Sequence, residues 1–129
     1  MRLYHGSSKV LDVLKPQKAK GISEFENIKG VFLTKTFLHA ALYAIGKGLK
    51  GKTIFGVSEN KLIMVGGLRL KHGFVYEVNV KNPIKGQRGQ YVSKGEVQPL
   101  TRIKVYPRDY AENIIRVKDK KGLLEFLRI

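Results

Sequence analysis

The chain contains no cysteine and no tryptophan, and only ten of its 129 residues are acidic. Without cysteine it has neither a disulfide framework nor a thiolate zinc site. No apolar run reaches the roughly 18–20 residues that a membrane-spanning helix needs. The N-terminus lacks a basic segment followed by a long apolar one, so we expect no signal peptide, no membrane partner and a cytoplasmic location.

Positive charge is the most prominent feature of the composition. Twenty-five lysine and arginine residues face the ten acids, which gives a formal charge of +15 and a pI near 10.1. Such a charge favours anionic partners, for example nucleic acid, nucleotides or anionic lipid. The cations are scattered singly apart from KDKK at 118–121. A solubilising role therefore explains the charge equally well, and charge alone identifies no binding face.

The apolar pattern predicts short strands with few helices. A hydrophobic content of 43% over this length predicts one domain spanning residues 1–129. The pattern predicts six strands separated by glycine- or lysine-rich turns, at residues 1–5, 30–34, 52–58, 61–66, 74–80 and 96–107. The polar segment 15–29 predicts a loop.

Residues 36–46 (TFLHAALYAIG) change to a helical period, with apolar side chains at i, i+3, i+4, i+7 and i+8. Thr36 is the expected N-cap, and Gly46 or Gly48 the expected end. A second short helix is predicted over 122–129. The expected fold class is therefore α+β, with mainly antiparallel strands and a few helices.

Several common site motifs are missing. The histidines His5, His39 and His72 do not have the spacing of metal ligands, and there is no HExxH segment, so we expect no metal site. Ser7 and Ser8 lie in no GxSxG elbow. The glycine-containing segments lack the P-loop spacing and predict turns.

Three segments taken together form a recognisable set: LYHGS at 3–7, GVFLTKTFLHAALYA at 30–44 and YVSKGEVQPLTRIKV at 91–105. In order and spacing they resemble the ADP-ribosyltransferase family. The resemblance is to the branch with a His-Gly-Ser/Thr first motif, which includes poly-ADP-ribose polymerases and rifampin ADP-ribosyltransferases. The eleven-residue separation of Phe32 from Tyr43 matches the family spacing of its two site aromatics. The resemblance implies a split sheet of mainly antiparallel strands.

The resemblance also implies that NAD is the co-substrate. His5 would bond a ribose hydroxyl of the adenosine half, and Ser7 would complete the same cofactor-binding motif. Gly6 would offer its backbone N–H and C=O to the nicotinamide amide, where a bare backbone allows close approach. Phe32 and Tyr43 would stack on the nicotinamide ring, which gains aromatic and cation–π attraction.

Catalysis would use Glu96 together with His5. A carboxylate near the ribose stabilises the oxocarbenium-like charge that develops as the nicotinamide–ribose bond breaks. Glu96 stands where the family places its third motif, with Glu77 and Glu59 as further candidates. Two positions depart from the family pattern: Phe32 carries no hydroxyl where related members have tyrosine, and Lys94 occupies the place of a second carboxylate.

The predicted function is therefore an NAD-dependent mono-ADP-ribosyltransferase acting on an unknown acceptor, either nucleic acid, protein or a small molecule. A catalytically inactive module of the same fold that binds nucleotide or nucleic acid is the main alternative. The related NAD-consuming RNA 2′-phosphotransferase reaction is a third, for which we cannot place the additional Arg and His residues.

Overall fold

The computed structural model describes residues 1–18, 29–86 and 88–127. The α-helices are α1 (Phe37–Gly46) and α2 (Lys120–Leu127), and two 3₁₀ helices span Lys47–Leu49 and Pro107–Asn113. The strands are β1 (Arg2–Ser7), β2 (Gln17–Lys18), β3 (Lys29–Thr34), β4 (Phe55–Val57), β5 (Leu62–Val65), β6 (Gly73–Asn79), β7 (Ile84–Lys85), β8 (Gln90–Ser93), β9 (Thr101–Val105) and β10 (Ile114–Val117).

The strands form two sheets. The larger one has the order β7-β8-β3-β1-β6-β9, with β2 paired to β3, and its neighbouring strands are antiparallel. The smaller sheet has the order β10-β5-β4, in which β5 pairs in parallel with β10 and antiparallel with β4. The protein is thus an α+β fold with mostly antiparallel strands, as the sequence predicts.

Helix α1 begins and ends where the sequence indicates. The Thr36 side chain accepts a hydrogen bond from the backbone N–H of His39, which satisfies one of the unpaired amides of the first turn. The apolar face that includes Ala40, Ala41 and Ala44 is buried against the sheet. After Gly46 the chain continues into the 3₁₀ helix Lys47–Leu49 rather than turning away.

The large sheet separates two apolar clusters. Because side chains alternate along a strand, Tyr76 and Val78 of β6 reach one cluster and Val75 reaches the other. The first cluster consists of Leu3, Leu14, Val31, Leu33, Tyr76, Val78, Val80, Tyr91 and Val97. The second lies under α1 and consists of Ala40, Ala41, Leu42, Ala44, Ile45, Leu62, Val75 and Val105.

Most predicted elements are confirmed, with shifted ends. The first strand extends to Ser7, the segments 52–58 and 61–66 form the β4–β5 hairpin, and the C-terminal helix is α2. Residues 19–28 of the predicted loop 15–29 lie outside the described residues. The flanks of that loop are strand instead, because Gln17–Lys18 pair with Lys29 and Gly30.

Several elements were not predicted, namely the strands β2, β7, β8 and β10 and the two 3₁₀ helices. The segment after Pro107 forms a 3₁₀ helix, and β10 pairs with β5 about fifty residues earlier, a partner that local periodicity does not reveal. Within the part of the chain described here, no helix combines the length and apolar character needed to span a bilayer.

Candidate functional site

A cleft opens where β1 and β3 diverge. Among the described residues the two strands share one register pair, Tyr4 with Thr34. Beyond it the His5 ring occupies the gap, and its Nδ1 lies 2.7 Å from the Phe32 carbonyl oxygen. The resulting space measures about 1130 Å³, which exceeds the roughly 300–1,000 Å³ of typical small-molecule pockets. It is large enough for a dinucleotide.

Residues 8–15, here called the strap, form a further wall of the cleft. The Tyr76 hydroxyl donates to the carbonyl of Lys9 at 3.0 Å and accepts from the N–H of Leu11 at 2.6 Å. At its far end the strap is held by reciprocal backbone bonds between Leu14 and Val97, each 2.9 Å long. The strap is therefore held by β6 near one end and by the segment between β8 and β9 at the other.

His5 is an uncharged hydrogen-bond acceptor. A carbonyl oxygen only accepts, so Nδ1 donates to Phe32 and the other ring nitrogen, Nε2, carries no proton. Burial lowers the pKa of His5 to about 3, the nearby charge of Lys47 adds to the decrease, and the bond to the Phe32 carbonyl opposes it. At neutral pH the ring cannot act as a general acid.

Gly6 is required by packing. A Cβ at this position would collide with the Ala40 carbonyl oxygen and lie 2.8 Å from the Ala44 nitrogen, because α1 rests directly on β1. The expectation that ligand approach explains this glycine is thus not needed. Its neighbour Ser7 is 7% exposed, and the Ser7 hydroxyl accepts from the Lys9 N–H at 3.1 Å. Both residues line the cleft.

Lys47 places a cation inside the cleft. It follows the last residue of α1, where positive charge complements the helix dipole. Its Nζ donates to the Gly6 carbonyl oxygen. Burial, and secondarily the charge of Lys50, lowers the pKa of Lys47 to about 8. Lys47 is therefore still mostly protonated at neutral pH and can attract an anionic group.

The two predicted aromatic residues lie in the same cleft. Phe32 comes from β3 and Tyr43 from α1. The Tyr43 ring stacks on His39 with centroids 5.1 Å apart and an interplanar angle of 21°, and its hydroxyl accepts from Gln90 Nε2 at 2.9 Å. Burial lowers the pKa of His39, against the charge of Glu59, so Tyr43 stacks on a neutral ring.

The acidic candidates are dispersed. Glu96 is exposed, next to Val97, and does not line the cleft. Glu77 forms an ion pair with Arg2 and is likewise absent from the lining, as is Glu59. In the described part of the chain, the cleft lining contains one carboxylate, the exposed Asp12 of the strap.

The structure thus brings together five of the six predicted site residues and leaves out Glu96. It adds Lys47, Gln90 and Asp12, which the sequence analysis missed. One of 25 basic residues carries no distinguishing signal in a sequence, and Gln90 is 47 residues from its partner Tyr43. Asp12 follows the first motif within a few residues, and this proximity is the sequence feature that could have identified it as a site residue.

Among residues 1–18, 29–86 and 88–127, no three His, Asp or Glu side chains are grouped so that they could hold a metal ion. A scan against family models and searches of curated proteins and of solved structures find no match to this chain.

Proposed function

We propose that the cleft binds NAD and that the protein is an ADP-ribosyltransferase-like enzyme that breaks the nicotinamide–ribose bond. One observation carries the proposal: five residues chosen from two separate sequence motifs line one cleft of about 1130 Å³, namely His5, Gly6, Ser7, Phe32 and Tyr43. The divergence of β1 from β3 also supports the split-sheet fold that the resemblance implies.

The geometry gives each side chain a role toward NAD. Neutral His5 offers Nε2 as an acceptor to a ribose hydroxyl, which is a donor. The aromatic rings of Phe32 and Tyr43 suit the flat, cationic nicotinamide ring. Lys47 supplies the positive charge that a diphosphate requires, and its bond to Gly6 would be exchanged for the ligand.

The ribosyl cation needs a carboxylate. Asp12 is the cleft candidate, and Glu96 remains the candidate that the sequence motif indicates. The rate of nicotinamide release distinguishes the two candidates. Replacing a carboxylate by its amide keeps the size of the side chain and removes its charge, so only the replacement of the catalytic carboxylate should slow the release strongly. We expect Asp12→Asn to reduce nicotinamide release strongly and Glu96→Gln to reduce it less. The reverse order would assign the carboxylate to Glu96.

Binding is the first test because it does not require the acceptor. Calorimetric titration with NAD should give a saturable signal for the wild-type protein. His5→Ala and Tyr43→Ala should each weaken the affinity about tenfold or more, as expected for lost hydrogen bonds and stacking. The matched control His72→Ala removes an exposed histidine that does not line the cleft. Equal affinities in all four proteins would refute the site.

The second candidate function is a nucleotide-binding module without turnover. Two observations favour it: the described part of the cleft lining contains a single carboxylate, Asp12, and Glu96 is exposed outside the cleft. This candidate predicts NAD binding that His5→Ala weakens, together with no nicotinamide release by the wild-type protein in the presence of nucleic acid or protein acceptors. Measurable release that Asp12→Asn or Glu96→Gln abolishes would exclude it.

A further inference from the structure

A cluster of cations and aromatic rings covers the edge of the large sheet, away from the cleft lining. We call it the β9 surface and define it as His72, Phe74, Arg102, Lys104, Tyr106 and Arg108. Arg102 lies over the Phe74 ring at 5.9 Å, and Lys104 and Arg108 lie over the Tyr106 ring at 5.3 and 4.9 Å. His72 joins the two rings, with centroids 5.6 Å from Phe74 and 6.4 Å from Tyr106.

The β9 surface is accessible and carries charge of one sign. Its three cationic side chains are exposed, and Tyr106 is 36% exposed. None of its six residues is acidic, and the β6 carboxylate Glu77 is paired with Arg2. Positive charge on an edge strand also discourages pairing between sheets, but that role does not require aromatic rings beneath the cations.

A second hollow extends this positive charge. It measures about 550 Å³, and Arg69 and Arg116 line it together with Arg108. Arg116 also fixes the loop after β5, since its Nη1 donates to the Leu68 carbonyl at 2.9 Å. Arg108 therefore belongs both to the β9 surface and to a hollow with two further guanidinium groups.

The β9 surface and the cleft share one face of the sheet. Ser7 pairs with Phe74, and Phe74 pairs with Lys104, so these three residues form a row across β1, β6 and β9. Directly paired residues project to the same side. With about 4.8 Å between neighbouring strands, the cleft residue Ser7 and Lys104 are about 10 Å apart across the sheet.

We propose that the β9 surface binds single-stranded nucleic acid. Arginine and lysine contact phosphates, and exposed aromatic rings accept unstacked bases, a combination typical of proteins that bind single strands. The cations that cover Tyr106 are exposed side chains that can turn to phosphates and leave the ring to a base. Duplex bases are stacked on each other and cannot use the ring. This binding does not depend on NAD cleavage, and a strand held here would pass about two strand spacings from the cleft.

The test is fluorescence anisotropy with labelled oligonucleotides of about 16 nucleotides, a length that covers one such site. Oligo-dT and oligo-rU distinguish DNA from RNA as the preferred strand. A duplex of the same length should bind more weakly than either. Tyr106→Ala should weaken single-strand binding about fivefold or more through lost stacking.

The charge contribution is measured from salt dependence. Replacing Arg102, Lys104 and Arg108 together by alanine should reduce the log–log salt slope by about 2, since each phosphate contact on a single strand contributes about 0.7. The matched control removes three cations elsewhere, Lys118, Lys120 and Lys121, and should retain the wild-type slope. Thermal melting of both triple variants verifies that they fold.

Two results would overturn the proposal. One is the same affinity and salt slope in the two triple variants, which would show that binding depends on the net charge of the protein and not on the β9 surface. The other is binding to phosphatidylserine vesicles with none to oligonucleotides. Absence of NAD binding by the wild-type protein together with intact oligonucleotide binding would refute the proposed function and leave the β9 surface proposal standing, so the two proposals fail separately.

Discussion

Burial of His5 makes a quantitative prediction about acid stability. The pKa of His5 falls from its ordinary 6.5 to about 3 because burial disfavours the charged ring. Between these values the unfolded chain binds a proton that the folded protein does not, so the free energy of unfolding decreases as the pH falls from 6.5 toward 3. At about 1.4 kcal/mol per pH unit, this histidine removes about 2.5 kcal/mol between pH 7 and about pH 4.5.

The assay is urea denaturation of wild type and His5→Asn at both pH values. Asparagine has no titrating group, and its amide can still donate to the Phe32 carbonyl. The wild-type protein should lose about 2.5 kcal/mol more on acidification than His5→Asn does. The lowered pKa of His39 acts in the same direction but is present in both proteins, so it cancels. Equal losses in the two proteins would refute the assignment of His5 as a buried, neutral ring.

Three further predictions follow from the same site. Gly6→Ala should destabilise the protein by about 3 kcal/mol in thermal denaturation, because its Cβ meets the α1 backbone, whereas Gly48→Ala, with no atom within 4 Å of its Cβ, should change little. The affinity for ADP, measured by calorimetry, should fall severalfold between pH 7 and about pH 9 as Lys47 loses its proton. The variant Lys47→Met should bind ADP weakly at both pH values. If Lys47→Met kept the wild-type pH dependence, Lys47 would not be the group that attracts the diphosphate. Tyr43→Phe removes the acceptor of Gln90 Nε2 and should cost about 1 kcal/mol of unfolding free energy in urea titrations, a loss that would be missing if this bond did not form in solution.

Local pattern was sufficient for most elements and for the position of the cleft. The capped helix α1, the alternating strand β6 and the paired strands β4 and β5 follow from spacing within a few residues. His5 and Phe32 could be chosen as site residues because they lie in short motifs that resemble those of the ADP-ribosyltransferase family.

What the sequence could not supply depends on long-range packing. The reason for Gly6 is the approach of a helix more than thirty residues later. The low pKa of His5 depends first on its burial in the folded protein and second on the charge of Lys47, 42 positions away. Glu96 lies between β8 and β9, which agrees with its predicted place before the last core strand, yet it follows a bend at residues 94–95 and lies outside the cleft. Whether a side chain after a strand faces a cleft or solvent is determined by the turn that follows, which a spacing rule does not describe.

The close seating of α1 has a mechanical consequence. The helix rests on Gly6 of β1 and also on Gly73 of β6, where a Cβ would lie 2.6 Å from the Ala44 carbonyl oxygen. The helix and these two strands are thereby joined over a continuous contact. Among the described residues, the opposite wall, β3, shares one register pair with β1, and the His5 ring bonds to the Phe32 carbonyl across the gap. The wall that contains α1, β1 and β6 is therefore seated without intervening side chains at these two glycines, and we expect a ligand that widens the cleft to displace β3 while Lys47 stays in place.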